Sequence, residues 1–105
     1  MNTICPKKCK QKMQDNVSLQ IIDIREAFEY EFCNIGSAHI PMQDFLDNVD
    51  ELDKTKTYIL MCKSGNRAQA LANLLECERG MSNILVMEGG ISGWKEKNEP
   101  SLIIE

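Results

Sequence analysis

The chain has 105 residues, of which 43% are hydrophobic and 27% are charged, a balance typical of one globular domain and unlike that of a disordered chain. Twelve basic and sixteen acidic residues give a net charge of -4, which argues against binding to nucleic acid or to an anionic membrane. No stretch approaches the roughly 18 apolar residues of a membrane helix. We therefore expect one domain over residues 1–105. Because residues 1–8 lack the apolar core of a secretion signal, we also expect a cytoplasmic location.

Strands and helices alternate along the chain. Nearly unbroken β-branched and apolar runs predict buried strands, and apolar residues at helical spacing, such as Ala68, Leu71 and Leu75, predict amphipathic helices. The predicted strands cover residues 19–24, 57–61 and 83–87, and the predicted helices cover residues 7–14, 25–32, 42–49, 67–79 and 91–97. This alternation predicts an α/β fold with a mostly parallel central sheet and helices on both faces.

The helix predicted over residues 25–32 has two different sides. Ala27, Phe28 and Phe32 fall on one side, and acidic residues, including Glu29, fall on the other. This pattern is typical of an amphipathic helix.

Five cysteines lie at positions 5, 9, 33, 62 and 77. An odd count without an export signal predicts reduced thiols and leaves room for one reactive thiol. Cys5 and Cys9 are separated by three residues, but no second clustered pair follows them and His39 is the single histidine, so we expect no metal site. Cys9 and Cys77 are interpreted as packing residues within helices.

Cys62 directly follows the predicted strand over residues 57–61 and precedes a helix. In open α/β sheets, ligands bind beyond the carboxyl ends of the strands. A thiol there meets the positive end of the helix dipole and the unpaired amides of the turn. Gly65 permits the backbone angles of such a turn, and Lys63 and Arg67 add two cations. Each of these features favours a thiolate, so the sequence predicts a nucleophilic Cys62.

The simpler interpretation of Cys62 is a buried residue at the end of a strand, followed by an ordinary turn. The five residues that follow it are polar or glycine, namely Lys63, Ser64, Gly65, Asn66 and Arg67. That composition is poor for packing, and it therefore favours a functional loop.

Four separated segments resemble the rhodanese-like domain family, and the resemblance covers nearly the whole chain. They are residues 21–26 with 29–30, residues 34–41, residues 62–68 and residues 88–94, which read IIDIRE with EY, NIGSAHIP, CKSGNRA and EGGISGW. Cys33, Asn34 and Ser37 depart from the residues that are usual in the family at one rim of the site. The resemblance implies a rhodanese-like three-layer sandwich that uses neither a metal nor an organic cofactor.

The resemblance also implies sulfur transfer. Cys62 would attack a sulfane sulfur and carry it as a persulfide, and the backbone amides of Lys63, Ser64, Gly65, Asn66 and Arg67 would hold the terminal sulfur. The side chains of Lys63 and Arg67 would attract a small anionic donor such as thiosulfate. The expected partners are that donor and a thiol or protein acceptor of sulfur.

Two other functions remain open. Tyrosine and dual-specificity phosphatases have a similar loop with the spacing Cys-x5-Arg, whereas Cys62 and Arg67 give Cys-x4-Arg and position 68 is alanine. A shorter loop closes on a smaller anion site. Rhodanese-like folds also serve as noncatalytic interaction modules, but these usually lack the cysteine or the loop cations that this chain has.

Other polar residues are interpreted as structural. Asp23 and Arg25 are expected to form an ion pair or a helix-start contact, and His39 is expected to be structural or at the rim of the site. Trp94 is expected to lie in the core. Cys33 would resolve a Cys62 persulfide into a disulfide only if the two Cα atoms lay within roughly 4.4–6.8 Å.

Overall fold

The computed structural model describes residues 3–15 and 18–104. The strands within these ranges are β1 (Thr3–Ile4), β2 (Leu19–Asp23), β3 (Ala38–His39), β4 (Thr57–Met61) and β5 (Ile84–Met87). They form one sheet in the order β1-β5-β4-β2-β3, and every pairing is parallel. The three predicted strands are confirmed. The edge strands β1 and β3 are not among them, because a two-residue strand shows no sequence pattern.

The helices are α1 (Pro6–Asp15), α2 (Ala27–Phe32), α3 (Met42–Asp47), α4 (Asn66–Arg79) and α5 (Gly90–Asn98). All five predicted helices are confirmed, and each boundary lies within two residues of its predicted place. The helix predicted over 42–49 ends early and continues as a 3-10 turn, Val49–Glu51. Nothing helical in the described ranges combines the length and the apolar character that crossing a bilayer requires.

The side chains of β2 and β4 alternate between two cores, as the two-residue period of a strand requires. Ile22 and Leu60 face one core, which α3 and α4 cover. Ile21 and Ile59 face the other core, which α1 and α5 cover and which includes the buried indole of Trp94. Helices therefore lie on both faces of the sheet, and the predicted three-layer α/β sandwich and the core position of Trp94 are confirmed.

Helix α2 does not bury its apolar side. Phe28 is 62% exposed and Phe32 is 55% exposed, although the apolar side of an amphipathic helix usually faces the core. The reason is that the inward side of α2 is held by polar contacts. Glu29 binds Arg67, and the hydroxyl of Tyr30 donates to the carbonyl of Ser37 at 2.8 Å.

The two helical cysteines that were expected to pack differ in their surroundings. Cys9 of α1 is fully buried in the core that α1 and α5 cover, as expected, and burial raises the pKa of its thiol to about 11. Cys77 is exposed on α4, so the prediction that it packs is wrong. It lies off the buried side of α4, which is formed by Ala68, Leu71, Ala72 and Leu75.

Candidate active site

The order of the strands creates a crevice at the carboxyl ends of β2 and β4. These strands are neighbours in the sheet, but the chain leaves β2 toward β3 on one side and leaves β4 toward β5 on the other. Crevices of this kind are where ligands bind in open α/β sheets. Cys62 comes directly after β4, and Ile24 and Arg25 come directly after β2. The predicted nucleophile therefore lies at the expected edge of the sheet.

The sulfur of Cys62 accepts hydrogen bonds from the backbone at the start of α4. The N–H of Gly65 lies 3.0 Å from Sγ, and the N–H of Ala68 lies 3.5 Å from it. Cys62 is only 1% exposed, so these amides surround the sulfur at the bottom of the loop. Because amide hydrogens and the N-terminus of a helix both favour negative charge, the arrangement suits a thiolate or another sulfur anion. Of the two donors, Gly65 belongs to the predicted loop and Ala68 lies one residue beyond it.

The backbone conformation at position 65 requires a glycine. Its φ is 105°, in the left-handed region, where it immediately precedes α4. A Cβ at this position would come no closer than 3.7 Å to other atoms, so space alone would admit a larger residue. The positive φ is what glycine provides, as predicted.

The N-terminus of α5 binds the carbonyl groups of the same loop. The N–H of Ile91 donates to the carbonyl of Cys62 at 2.8 Å, and the N–H of Ser92 donates to the carbonyl of Lys63 at 3.1 Å. A Cβ on Gly90 would overlap the carbonyl oxygen of Cys62. These contacts were not predicted, although the Gly89-Gly90 pair after a strand is the signal that marks such a close approach.

The two loop cations differ in their partners. The guanidinium of Arg67 forms a two-point ion pair with Glu29 of α2, with N–O distances of 2.8 and 3.0 Å. The hydrogen bond from Arg67 lowers the pKa of Glu29 to about 2. Lys63 is exposed. Arg67 is therefore already matched with a carboxylate, and Glu29 is a site residue that was predicted only as part of an acidic helix.

The remaining predicted loop residues lie at its surface. The side chains of Ser64 and Asn66 are both exposed. The structure therefore brings the backbone of Gly65 to the sulfur of Cys62, whereas Arg67, in the first turn of α4, binds Glu29 of α2.

A buried ion pair supports the crevice from the β2 side. Arg25 binds Asp23 through Nε at 2.9 Å and Nη2 at 2.8 Å, and the Nη2 group also donates to the carbonyl of Cys33 at 2.7 Å. His39 bonds to the carbonyl of Arg25 at 2.8 Å and stacks on Tyr30. The structural roles expected for Asp23, Arg25 and His39 are confirmed. In the described part of the chain, no group of three metal-ligating side chains is arranged around one point.

A groove of about 410 Å³ lies beside the loop. Its polar lining includes Glu26, which precedes α2, and Lys63 and Arg67 of the loop. Its apolar lining comes from Phe28 and Ile104. A somewhat larger cavity of about 470 Å³ is lined by residues 79–83 and residues near the 3-10 turn, with none from the Cys62 loop. The groove therefore adjoins the loop through Lys63 and Arg67, whereas Cys62 itself lies beneath the loop and does not line it.

The chain belongs to the rhodanese-like domain family, which matches residues 6–97. It is 35% identical over 92 residues to the putative sulfurtransferase YtwF of Bacillus subtilis, and the match covers 87% of each chain. It is 32% identical over 91 residues to the putative sulfur carrier protein YrkF of the same organism, with 86% of this chain but 49% of YrkF covered. The crystal structure of a rhodanese-related protein from Thermoplasma volcanium is 28% identical and has a TM-score of 0.81, with full coverage of both chains. The family is thus one of rhodanese-type sulfurtransferases.

Proposed function

We propose that this protein is a sulfurtransferase that carries sulfane sulfur as a persulfide on Cys62. The donor is thiosulfate, a persulfide or a polysulfide, and the acceptor is a small thiol or a protein thiol. The observation that carries this proposal is the pair of backbone N–H groups, from Gly65 and Ala68, that point at the sulfur of Cys62. The relationship to proteins named sulfurtransferases supports the same reaction class.

The first step is attack by the Cys62 thiolate on the outer sulfur of the donor. A bond forms between Sγ and that sulfur, the donor's own bond to it breaks, and the bonding electron pair leaves with the donor as sulfite or a thiolate. No oxidant, metal or organic cofactor is required for this exchange. The product is a persulfide on Cys62 whose terminal sulfur carries the negative charge.

The loop backbone then stabilises that persulfide. Fixed N–H groups at the start of α4 stabilise a sulfur anion without having to reorient, as mobile water would. We assign this role to the amides of residues 63–68. The second step reverses the chemistry, since an acceptor thiolate attacks the terminal sulfur and Cys62 leaves as the thiolate.

Intact-mass spectrometry tests the proposal. The protein is incubated with thiosulfate or with inorganic polysulfide, and the mass is expected to rise by one sulfur atom, which cyanide then removes as thiocyanate. Peptide mapping should place the sulfur on Cys62. Absence of added sulfur with every donor would contradict the proposal, and hydrolysis of p-nitrophenyl phosphate under the same conditions would favour the phosphatase alternative.

A further inference from the structure

The charges at the entrance to the loop are nearly balanced. Arg67 is matched by Glu29, whose side chain is only 16% exposed, and Arg25 is matched by the buried Asp23. The exposed side chains of Lys63 and Glu26 have opposite charges and both line the groove. A donor with two negative charges, such as thiosulfate, therefore meets little net attraction at a site whose nucleophile is itself an anion.

The shape of the groove points to a larger and less charged donor. Its volume of about 410 Å³ lies in the range of cavities that hold organic ligands, and thiosulfate would fill a small part of it. Phe28 lines it while remaining 62% exposed, and Ile104 adds a second apolar surface. Because Phe28 and Ile104 line the groove beside charged residues, the groove suits a ligand that has both an apolar part and a polar part.

We infer that Glu29 determines donor specificity, by neutralising Arg67 so that the site favours an organic persulfide over thiosulfate, and that Phe28 and Ile104 bind the organic part of that donor. This inference rests on the proposed function. In the reaction, the Cys62 thiolate attacks the outer sulfur of R–S–SH and forms a new S–S bond. The S–S bond of the donor breaks and R–S⁻ leaves with the electron pair. The proton of the donor's S–H group is then released to solvent, which gives the Cys62 persulfide anion.

The charge component is tested with Glu29→Gln and its matched control Glu31→Gln, which removes a carboxylate from the same helix outside the groove. The second-order rate constant for sulfur loading is measured with thiosulfate and with benzyl persulfide. Glu29→Gln should raise the constant for thiosulfate about fivefold and change that for benzyl persulfide about twofold at most. The increase should disappear at high ionic strength, and both Glu31→Gln and Glu29→Asp should keep the original donor preference.

The apolar component is tested with Phe28→Ser and its matched control Phe32→Ser, since both side chains are exposed on α2 but only Phe28 lines the groove. Phe28→Ser should raise the KM for benzyl persulfide about threefold or more and leave the KM for thiosulfate unchanged. Phe32→Ser should leave both KM values unchanged.

Loss of sulfur loading and loss of donor preference have different meanings. If no donor adds sulfur to Cys62 in the unmodified protein, the proposed function is overturned and this inference with it. If sulfur is added normally but Glu29→Gln lowers both rate constants equally, or Phe28→Ser changes neither KM, the inference alone is overturned. Thermal unfolding of each variant confirms that the measured changes belong to folded protein.

Discussion

The N–H of Ile91 donates a 2.8 Å hydrogen bond to the carbonyl oxygen of Cys62, which joins the start of α5 to the candidate nucleophile. The start of α4 binds the sulfur of the same residue through the N–H of Gly65. Two helices that follow neighbouring strands, β5 and β4, therefore hold opposite sides of Cys62. One fixes its carbonyl and the other its side chain, so the loop is already ordered before any donor arrives.

Replacing Gly90 should disrupt this arrangement. In Gly90→Ala, the new Cβ would overlap the carbonyl oxygen of Cys62, so the α5 N-terminus must move away from the loop. We expect a loss of about 3 kcal/mol in the free energy of unfolding, measured by urea denaturation. Gly36→Ala is the control, because Gly36 also has a positive φ of 80° but has no atom within 4 Å of the added Cβ. It should cost only about 1 kcal/mol, and equal losses for the two variants would show that φ alone is responsible.

Replacing the nucleophile should abolish sulfur loading without unfolding the protein. In Cys62→Ser, the hydroxyl can still accept the hydrogen bond from Gly65, so the free energy of unfolding should change by about 1–2 kcal/mol. Cys77→Ser removes an exposed thiol from α4 and should load sulfur like the unmodified protein. Intact mass after treatment with polysulfide distinguishes them. Retention of cyanide-labile sulfur by Cys62→Ser would assign the chemistry to another cysteine.

The buried ion pair behind the crevice should contribute far more to stability than an exposed one. Arg25→Met leaves the fully buried carboxylate of Asp23 without its cation, and we expect a loss of about 3–5 kcal/mol in the free energy of unfolding. Arg79→Met breaks the exposed pair with Asp50 and should cost a small fraction of that. Chemical denaturation measures both. Comparable losses would mean that burial does not increase the contribution of the Asp23–Arg25 pair to the free energy of unfolding.

Acid should reveal the ion pair between Glu29 and Arg67. The pKa of Glu29 is lowered from 4.5 to about 2 by its hydrogen bond with Arg67, so the folded state binds this proton less readily than the unfolded state. The stabilisation is therefore present above about pH 4.5 and is lost as the pH falls through about 2. NMR titration of the Glu29 carboxyl should show this low pKa and its return toward 4.5 in Arg67→Gln. An unchanged titration in that variant would rule out Arg67 as the cause.

Local patterns were sufficient to predict most of the fold. The run of residues 57–61 is a strand with the predicted bounds, and α4 begins one residue before its predicted start. The position of Cys62 between them also follows from local sequence, because a strand that leads through a glycine turn into a helix places this residue at the helix N-terminus. The structure confirms this placement, and the nucleophilic role of Cys62 stays a prediction.

The features that the sequence did not predict depend on contacts between distant parts of the chain. Glu29 and Arg67 are 38 residues apart, and no local pattern shows that they meet. The exposure of Phe28 has the same origin, because spacing reveals that a helix has two sides but not which side the rest of the protein covers. The close approach of Gly90 to Cys62 likewise depends on how β4 and β5 pair.

The edges of the sheet have a consequence for the behaviour of the protein at high concentration. The apolar strands β2 and β4, each five residues long, lie inside the sheet, whereas its borders are β1 and β3, each two residues long. So short a border offers few unpaired backbone groups to a strand from another molecule. Intermolecular β-pairing, the usual route from a folded sheet protein to fibrils, is therefore disfavoured by the way the chain arranges its own strands.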